Sequence, residues 1–217
     1  MPPAPLRAVF FDWDGTLADT AEATFRCYEA VFGSYGIAFD RARFQATYST
    51  NGYRTYAAVG LREELWPEAN VRWTQRYSEQ TNQLIPGARA ALDRLERAGL
   101  LQGLVTSGNR ERVVRDLAAL NVDGFFRTVV CAEDVQQRKP HPEGLLLALE
   151  HLGLGPEGVV YVGDSPEDVE MARAAGVFAV GIPGAFPNRD ALLGSAPDLC
   201  AASLEEAVNV VLAGSGR

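Results

Sequence analysis

The sequence predicts an α/β protein: a doubly wound parallel sheet covered by helices on both faces, with a small helical domain inserted after its first strand. Three observations predict it. An apolar run, LRAVFF (residues 6–11), stops at two aspartates and a glycine. From about Pro86 onward, short apolar segments alternate with segments whose apolar residues recur at helical spacing. Between these regions lies a stretch too long for a simple crossover, helical in period and rich in aromatics.

The elements follow in order. LRAVFF reads as a buried strand, and Gly15 and Thr16 break it. In the inserted stretch Phe25, Tyr28, Phe32 and Tyr35 recur at spacings of three and four, and Pro67 opens a helix with Trp73, Tyr77 and Leu84 on one side. In PGARAALDRLERAG, Ala88, Ala91, Leu92, Leu95 and Ala98 form a helical stripe closed by Gly99. GLVTSGN is a strand running into a turn, and RERVVRDLAAL is a helix on Val113, Leu117 and Leu120. TVVCA is a strand, PEGLLLALEHLG a helix between Pro142 and Gly153, GVVYVGDS a strand, PEDVEMARAAG a helix and VFAVGI a strand. SLEEAVNVVLAG opens with Ser203 and Glu206 in capping-box spacing. The alternation specifies a Rossmann-like core of residues 1–17 and 86–217, and residues 18–85 are the helical insertion. About ninety residues separate the first two core strands, where a crossover needs a few dozen.

Composition narrows the function classes. The 217 residues are 47% hydrophobic and 22% charged, ordinary for a globular protein. No apolar run reaches the roughly 18 residues of a membrane span. The start, MPPAPLRAVFF, lacks the charged-then-apolar order of a secretion signal, so the expected location is cytoplasmic. Cys27, Cys131 and Cys200 are far apart and argue against a disulfide framework or zinc site. A net charge of −8 argues against nucleic acid and anionic membrane as partners. Of twenty basic residues only Lys139 is a lysine, a compact ammonium in a chain that otherwise uses arginine.

In a doubly wound sheet, ligands bind at the carboxyl ends of the strands. Read in order, those ends supply Asp12 and Asp14, then Thr106 and Ser107, then Lys139, then Asp164. Clustered carboxylates need a cation, or one must stay protonated. Magnesium meets that need, because it prefers oxygen and is commonly held by one or two carboxylates plus a substrate phosphate. Lys139 and the Thr106 hydroxyl are placed to grip phosphate oxygens, and the Ser107 and Gly108 N–H groups are expected at the start of the next helix. His141 and His151 are assigned no chemistry. GLGPEG (residues 153–158) matches GxGxxG, yet it precedes a strand and reads as a helix stop.

FDWDGTL, the VTSGN turn, KPHP and GDSPEDVEMARAAG resemble the four motifs of the haloacid dehalogenase superfamily, in their usual order. The insertion after the first motif is similar to that of the helical-cap subgroup, which includes phosphoglycolate phosphatase and beta-phosphoglucomutase. The resemblance implies that Asp12 is a nucleophile that forms an aspartyl-phosphate. It implies that Asp14 is the general acid and base, carrying a proton when substrate arrives. It places magnesium on Asp12, Asp14 (through its backbone carbonyl) and Asp164, supported by Asp168, with Thr106 and Lys139 holding the phosphoryl group. Asp168 also fits position N3 of a helix capped by Ser165, and both roles stay open. Arg54, at the end of STNGYR (residues 49–54), is a candidate contact to a second anionic group, against the alternative of an exposed loop residue.

The reading is a magnesium-dependent phosphatase acting on a small phosphorylated metabolite. The alternatives are an isomerase similar to beta-phosphoglucomutase and a non-catalytic phosphate-binding protein. Gly163-Asp164 with the later Asp168 favours hydrolysis, because the mutase motif usually begins Glu-Asp and lacks the later aspartate. The substrate and the oligomeric state, monomer or homodimer, stay open.

Overall fold

The computed structural model describes residues 5–214; residues 1–4 and 215–217, which the sequence reading assigns to the core, lie outside them. The chain runs through β1 (Ala8–Phe11), β2 (Ala18–Asp19), α1 (Ala21–Ser34), α2 (Arg41–Thr47), α3 (Gly52–Ala58), α4 (Trp66–Ser78) and β3 (Gln83–Leu84). It continues through α5 (Ala88–Arg97), β4 (Leu101–Val105), α6 (Arg110–Ala119), β5 (Thr128–Val130) and α7 (Glu143–Leu152). Then come β6 (Val159–Gly163), α8 (Pro166–Ala174), β7 (Phe178–Gly181), α9 (Arg189–Gly194), β8 (Leu199–Cys200) and α10 (Leu204–Gly214). No helix among the described residues is long and apolar enough to cross a membrane.

Six strands form one sheet in the order β5-β4-β1-β6-β7-β8, all paired parallel. Alternation along β1 explains why helices cover both faces. Val9 and Phe11 pack into a cluster with Leu92 and Leu95 of α5, Val113 and Leu117 of α6 and Leu204 and Val208 of α10. Ala8 and Phe10 pack into the opposite cluster with Leu145 and Leu149 of α7 and Val169 and Met171 of α8.

Local sequence sets the helix ends. Ser165 caps α8 by accepting from the Asp168 N–H at 3.2 Å, with Pro166 in the first turn, where a missing N–H costs nothing. Ser203 accepts from the Glu206 N–H at 3.1 Å, while the Glu206 carboxylate reaches Ala202 N instead of closing the box on Ser203. The short elements β2, β3, α2, α3, α9 and β8 add to those expected from the sequence, and Leu84 belongs to β3 because the helix opened by Pro67 ends at Ser78.

The two crossings between core and insertion are themselves paired. β2 and β3 form an antiparallel ribbon, Ala18 opposite Leu84 and Asp19 opposite Gln83. Between them α1–α4 build a separate aromatic cluster on Phe25, Tyr28, Phe32 and Tyr56. One core residue joins that cluster: Phe186, after β7, stacks on Tyr48 with ring centroids 4.7 Å apart.

Candidate active site

Register places the site. Phe11 lies opposite Leu104 of β4 and Val162 of β6, so the residues leaving these three strands emerge side by side. Asp12 follows β1, Thr106 follows β4 and Asp164 follows β6 after Gly163. They line one cavity of about 280 Å³ together with Asp14, Ser107, Gly108, Lys139 and Asp168. Gly15 allows the sharp exit from β1: its φ is +83°, and a Cβ there would lie 2.3 Å from Asp164 Oδ2.

Lys139 organises the buried charge. Its ammonium donates to Asp12 Oδ1 at 2.7 Å, Asp168 Oδ1 at 2.7 Å and the Tyr161 hydroxyl at 2.6 Å. Tyr161 in turn donates to the Val105 carbonyl at 2.8 Å. Burial alone would push the Lys139 pKa down, but Asp12 and Asp168 outweigh it and hold it above its ordinary value.

The carboxylates behave oppositely. Burial pushes the Asp12 pKa up to about 7, with Asp168 and Asp14 adding repulsion that Lys139 only partly offsets. Burial, then Asp12 and Asp168, push Asp164 well above the ordinary aspartate value. Asp164 Oδ2 is buried without a hydrogen-bond partner. Asp12, Asp164 and Asp168 each bring a carboxylate oxygen within 4.8 Å of the others. An oxygen-only donor set containing an orphaned carboxylate oxygen fits a hard divalent cation.

A stability prediction follows. Without metal, the folded protein retains protons on Asp12 and Asp164 that the unfolded chain has already released. Stability therefore falls as pH rises from about 4 to about 7. We expect denaturant midpoints with a chelator to be lower at about pH 7.5 than at about pH 5, and magnesium to remove most of that difference. Midpoints insensitive to both pH and magnesium would contradict the electrostatics described here.

Several sequence expectations need revision. The Asp14 side chain takes no part in the carboxylate cluster; both its oxygens accept from Arg112, at 2.8 and 2.5 Å. Ser107 and Gly108 do not begin α6, which starts at Arg110 with Asn109 as its cap. The Gly108 N–H donates to Thr106 Oγ1 at 3.0 Å and is not left for a ligand, although the Thr106 hydroxyl keeps its own proton to donate. Asp168 does close the α8 capping box, its Oδ2 accepting from Ser165 N at 3.1 Å and Ser165 Oγ at 2.7 Å. Arg54 lies outside the cavity lining. It sits on α3, whose capped N-terminus turns Thr55 and Tyr56 inward and leaves Arg54 exposed.

Two residues were missed. Tyr161 sits inside the apolar run VVYV, where a buried phenol needs a partner for its hydroxyl. Arg112 is 8% exposed, forks onto Asp14, stands 3.9 Å from Asp116 and lies 4.8 Å from the Tyr77 ring centroid. Gly108 makes room for it, since a Cβ there would fall 2.3 Å from the guanidinium.

Residues 9–182 match the family model described as haloacid dehalogenase-like hydrolase. The chain belongs to that family. It is 31% identical over 203 residues to a phosphoglycolate phosphatase of Yersinia pestis, covering 89% of this chain and 88% of the relative. Its fold is similar to the crystal structure of CbbY from Rhodobacter sphaeroides in complex with phosphate (TM-score 0.78, 26% identity, 93% of this chain and 96% of that one). It is also similar to a hydrolase from Pseudomonas syringae (TM-score 0.82, 21% identity, 95% and 98% covered). These two structures share the fold of this chain over more than nine-tenths of its length.

Proposed function

We propose that this haloacid dehalogenase-like hydrolase is a magnesium-dependent phosphatase that hydrolyses a small phosphorylated metabolite through an aspartyl-phosphate on Asp12. The observation that carries the reading is the Lys139 ammonium bridging Asp12 and Asp168 beside the unpartnered oxygen of Asp164. A phosphatase name on the Yersinia pestis relative and a phosphate in the CbbY structure support it.

Asp12 and Asp164, supported by Asp168, would hold the magnesium, which when bound supplies positive charge to the phosphoryl oxygens. A carboxylate oxygen of Asp12 attacks phosphorus, a new P–O bond forms and the bond to the leaving oxygen breaks. Asp14 gives that oxygen a proton. It then takes one from the water that attacks the phosphoenzyme, so inorganic phosphate leaves and both aspartates are restored. Lys139 and the Thr106 hydroxyl steady the phosphoryl oxygens, because phosphoryl transfer depends mostly on positioning and charge. Both Asp14 oxygens meet Arg112 in this structure, so one must turn from Arg112 to the substrate during each cycle. Residues 18–85 act as a cap, and the β2–β3 ribbon is where closure would bend.

Phosphate release from a generic aryl phosphate tests the reading. It should require magnesium, stop with a chelator and return when the metal is restored. Undiminished release after complete removal of divalent metal would refute the proposed chemistry.

A further inference from the structure

We infer that the leaving group of the substrate is uncharged and hydroxyl-bearing, a sugar or polyol, and not a carboxylate of the phosphoglycolate kind. The inference rests on the phosphatase reading and concerns the part of the cavity that faces away from the phosphoryl site.

That part is built by the insertion. On α4, Asn70, Trp73, Thr74 and Tyr77 line the cavity at positions i, i+3, i+4 and i+7, one face of the helix. A helix serving only its own small core would put aliphatic residues there. Instead the face carries an amide, a hydroxyl and two aromatic rings, and Thr24 of α1 adds a second hydroxyl. Among the described residues, the Asn70, Thr74 and Thr24 side chains make no hydrogen bond within the chain. The Trp73 indole N–H is buried without a partner. Asn70 and Thr74 are exposed, so their polar groups meet water when no ligand is bound, and such groups beside flat rings suit a molecule with hydroxyls at its edge and C–H groups on its faces.

Charge points the same way. The insertion contributes no cation to the cavity lining. The core contributes three, of which Lys139 is bound to Asp12 and Asp168, and Arg112 is bound by its fork to Asp14. The third, Arg138, is exposed and directly precedes Lys139. A second anion on the substrate would therefore meet no cation on the insertion's wall, and on the core side it would compete with Asp14 for Arg112 or reach out to the exposed Arg138.

The test measures kcat/KM for phosphate release on a generic aryl phosphate, on ribose 5-phosphate, glucose 6-phosphate and glycerol 1-phosphate, and on 2-phosphoglycolate. At least one sugar or polyol phosphate should exceed 2-phosphoglycolate by about tenfold or more. Equal or better turnover of 2-phosphoglycolate overturns the inference and leaves the phosphatase reading standing. Failure on every substrate, the aryl phosphate included, overturns both. Thr74→Arg, or Asn70→Arg one turn earlier on the same face, adds the missing cation. In whichever variant stays folded by circular dichroism, the ratio should shift about tenfold toward 2-phosphoglycolate. An unchanged ratio in a folded variant means this face does not meet the leaving group, and the inference fails.

Discussion

Asp12→Asn should lower phosphate release by roughly 10⁶-fold, the scale seen when a covalent nucleophile is removed, while leaving the fold intact. The amide cannot attack phosphorus, and it withdraws one negative charge from the metal site. The same substitution relieves the repulsion that Asp12 imposes on Asp164. Metal-free Asp12→Asn protein should therefore unfold at a denaturant concentration no lower than the parent, and its dependence on pH between about 4 and 7 should shrink. Loss of activity with retained stability separates a chemical role from a structural one. Substantial turnover in the variant would contradict the assignment of the nucleophile.

Lys139→Met should have the opposite character and cost both activity and stability. Its ammonium is 8% exposed and donates to two carboxylates and a phenol. Removing one member of a buried, hydrogen-bonded ion pair typically costs about 3–5 kcal/mol, because the remaining charges are left without compensation. Here Asp12, Asp164 and Asp168 would then face one another alone. Protonation relieves that repulsion, so the loss should be largest above about pH 7 and smaller in acid. Urea denaturation at the two pH values measures it. A loss below about 1 kcal/mol at neutral pH would mean that the ammonium is not the hub of the cluster.

The sheet was legible because each core strand is an apolar run closed by a polar turn, and each intervening helix carries its own stripe. β8 is two residues long and α9 six, too short for a period to show. The site was legible where chemistry falls on strand ends, since parallel topology alone gathers Asp12, Thr106 and Asp164. It was not legible where a helix carries the residue. Arg112 in RERVVRDL reads as a solvated charge, and only its burial against Asp14 and Asp116 shows otherwise. The pair Arg112 and Asp116, four apart and each directly preceding an apolar stripe residue (Val113, Leu117), is the trace that sequence retains. The loop expected around Arg54 was misread for the converse reason. The helix that holds Arg54 begins at Gly52, three residues earlier than the expected loop allows, and that register turns its side chain outward.

The central claim is that Asp12 captures the phosphoryl group. Rapid acid quench of the enzyme with a labelled phosphoryl donor and magnesium, followed by proteolysis and mass spectrometry, tests it most directly. The account predicts one labelled peptide containing FFDWDGTL, modified at Asp12, that disappears in Asp12→Asn and accumulates in Asp14→Asn. Label on any other residue, or steady turnover with no labelled enzyme at any time, would contradict it.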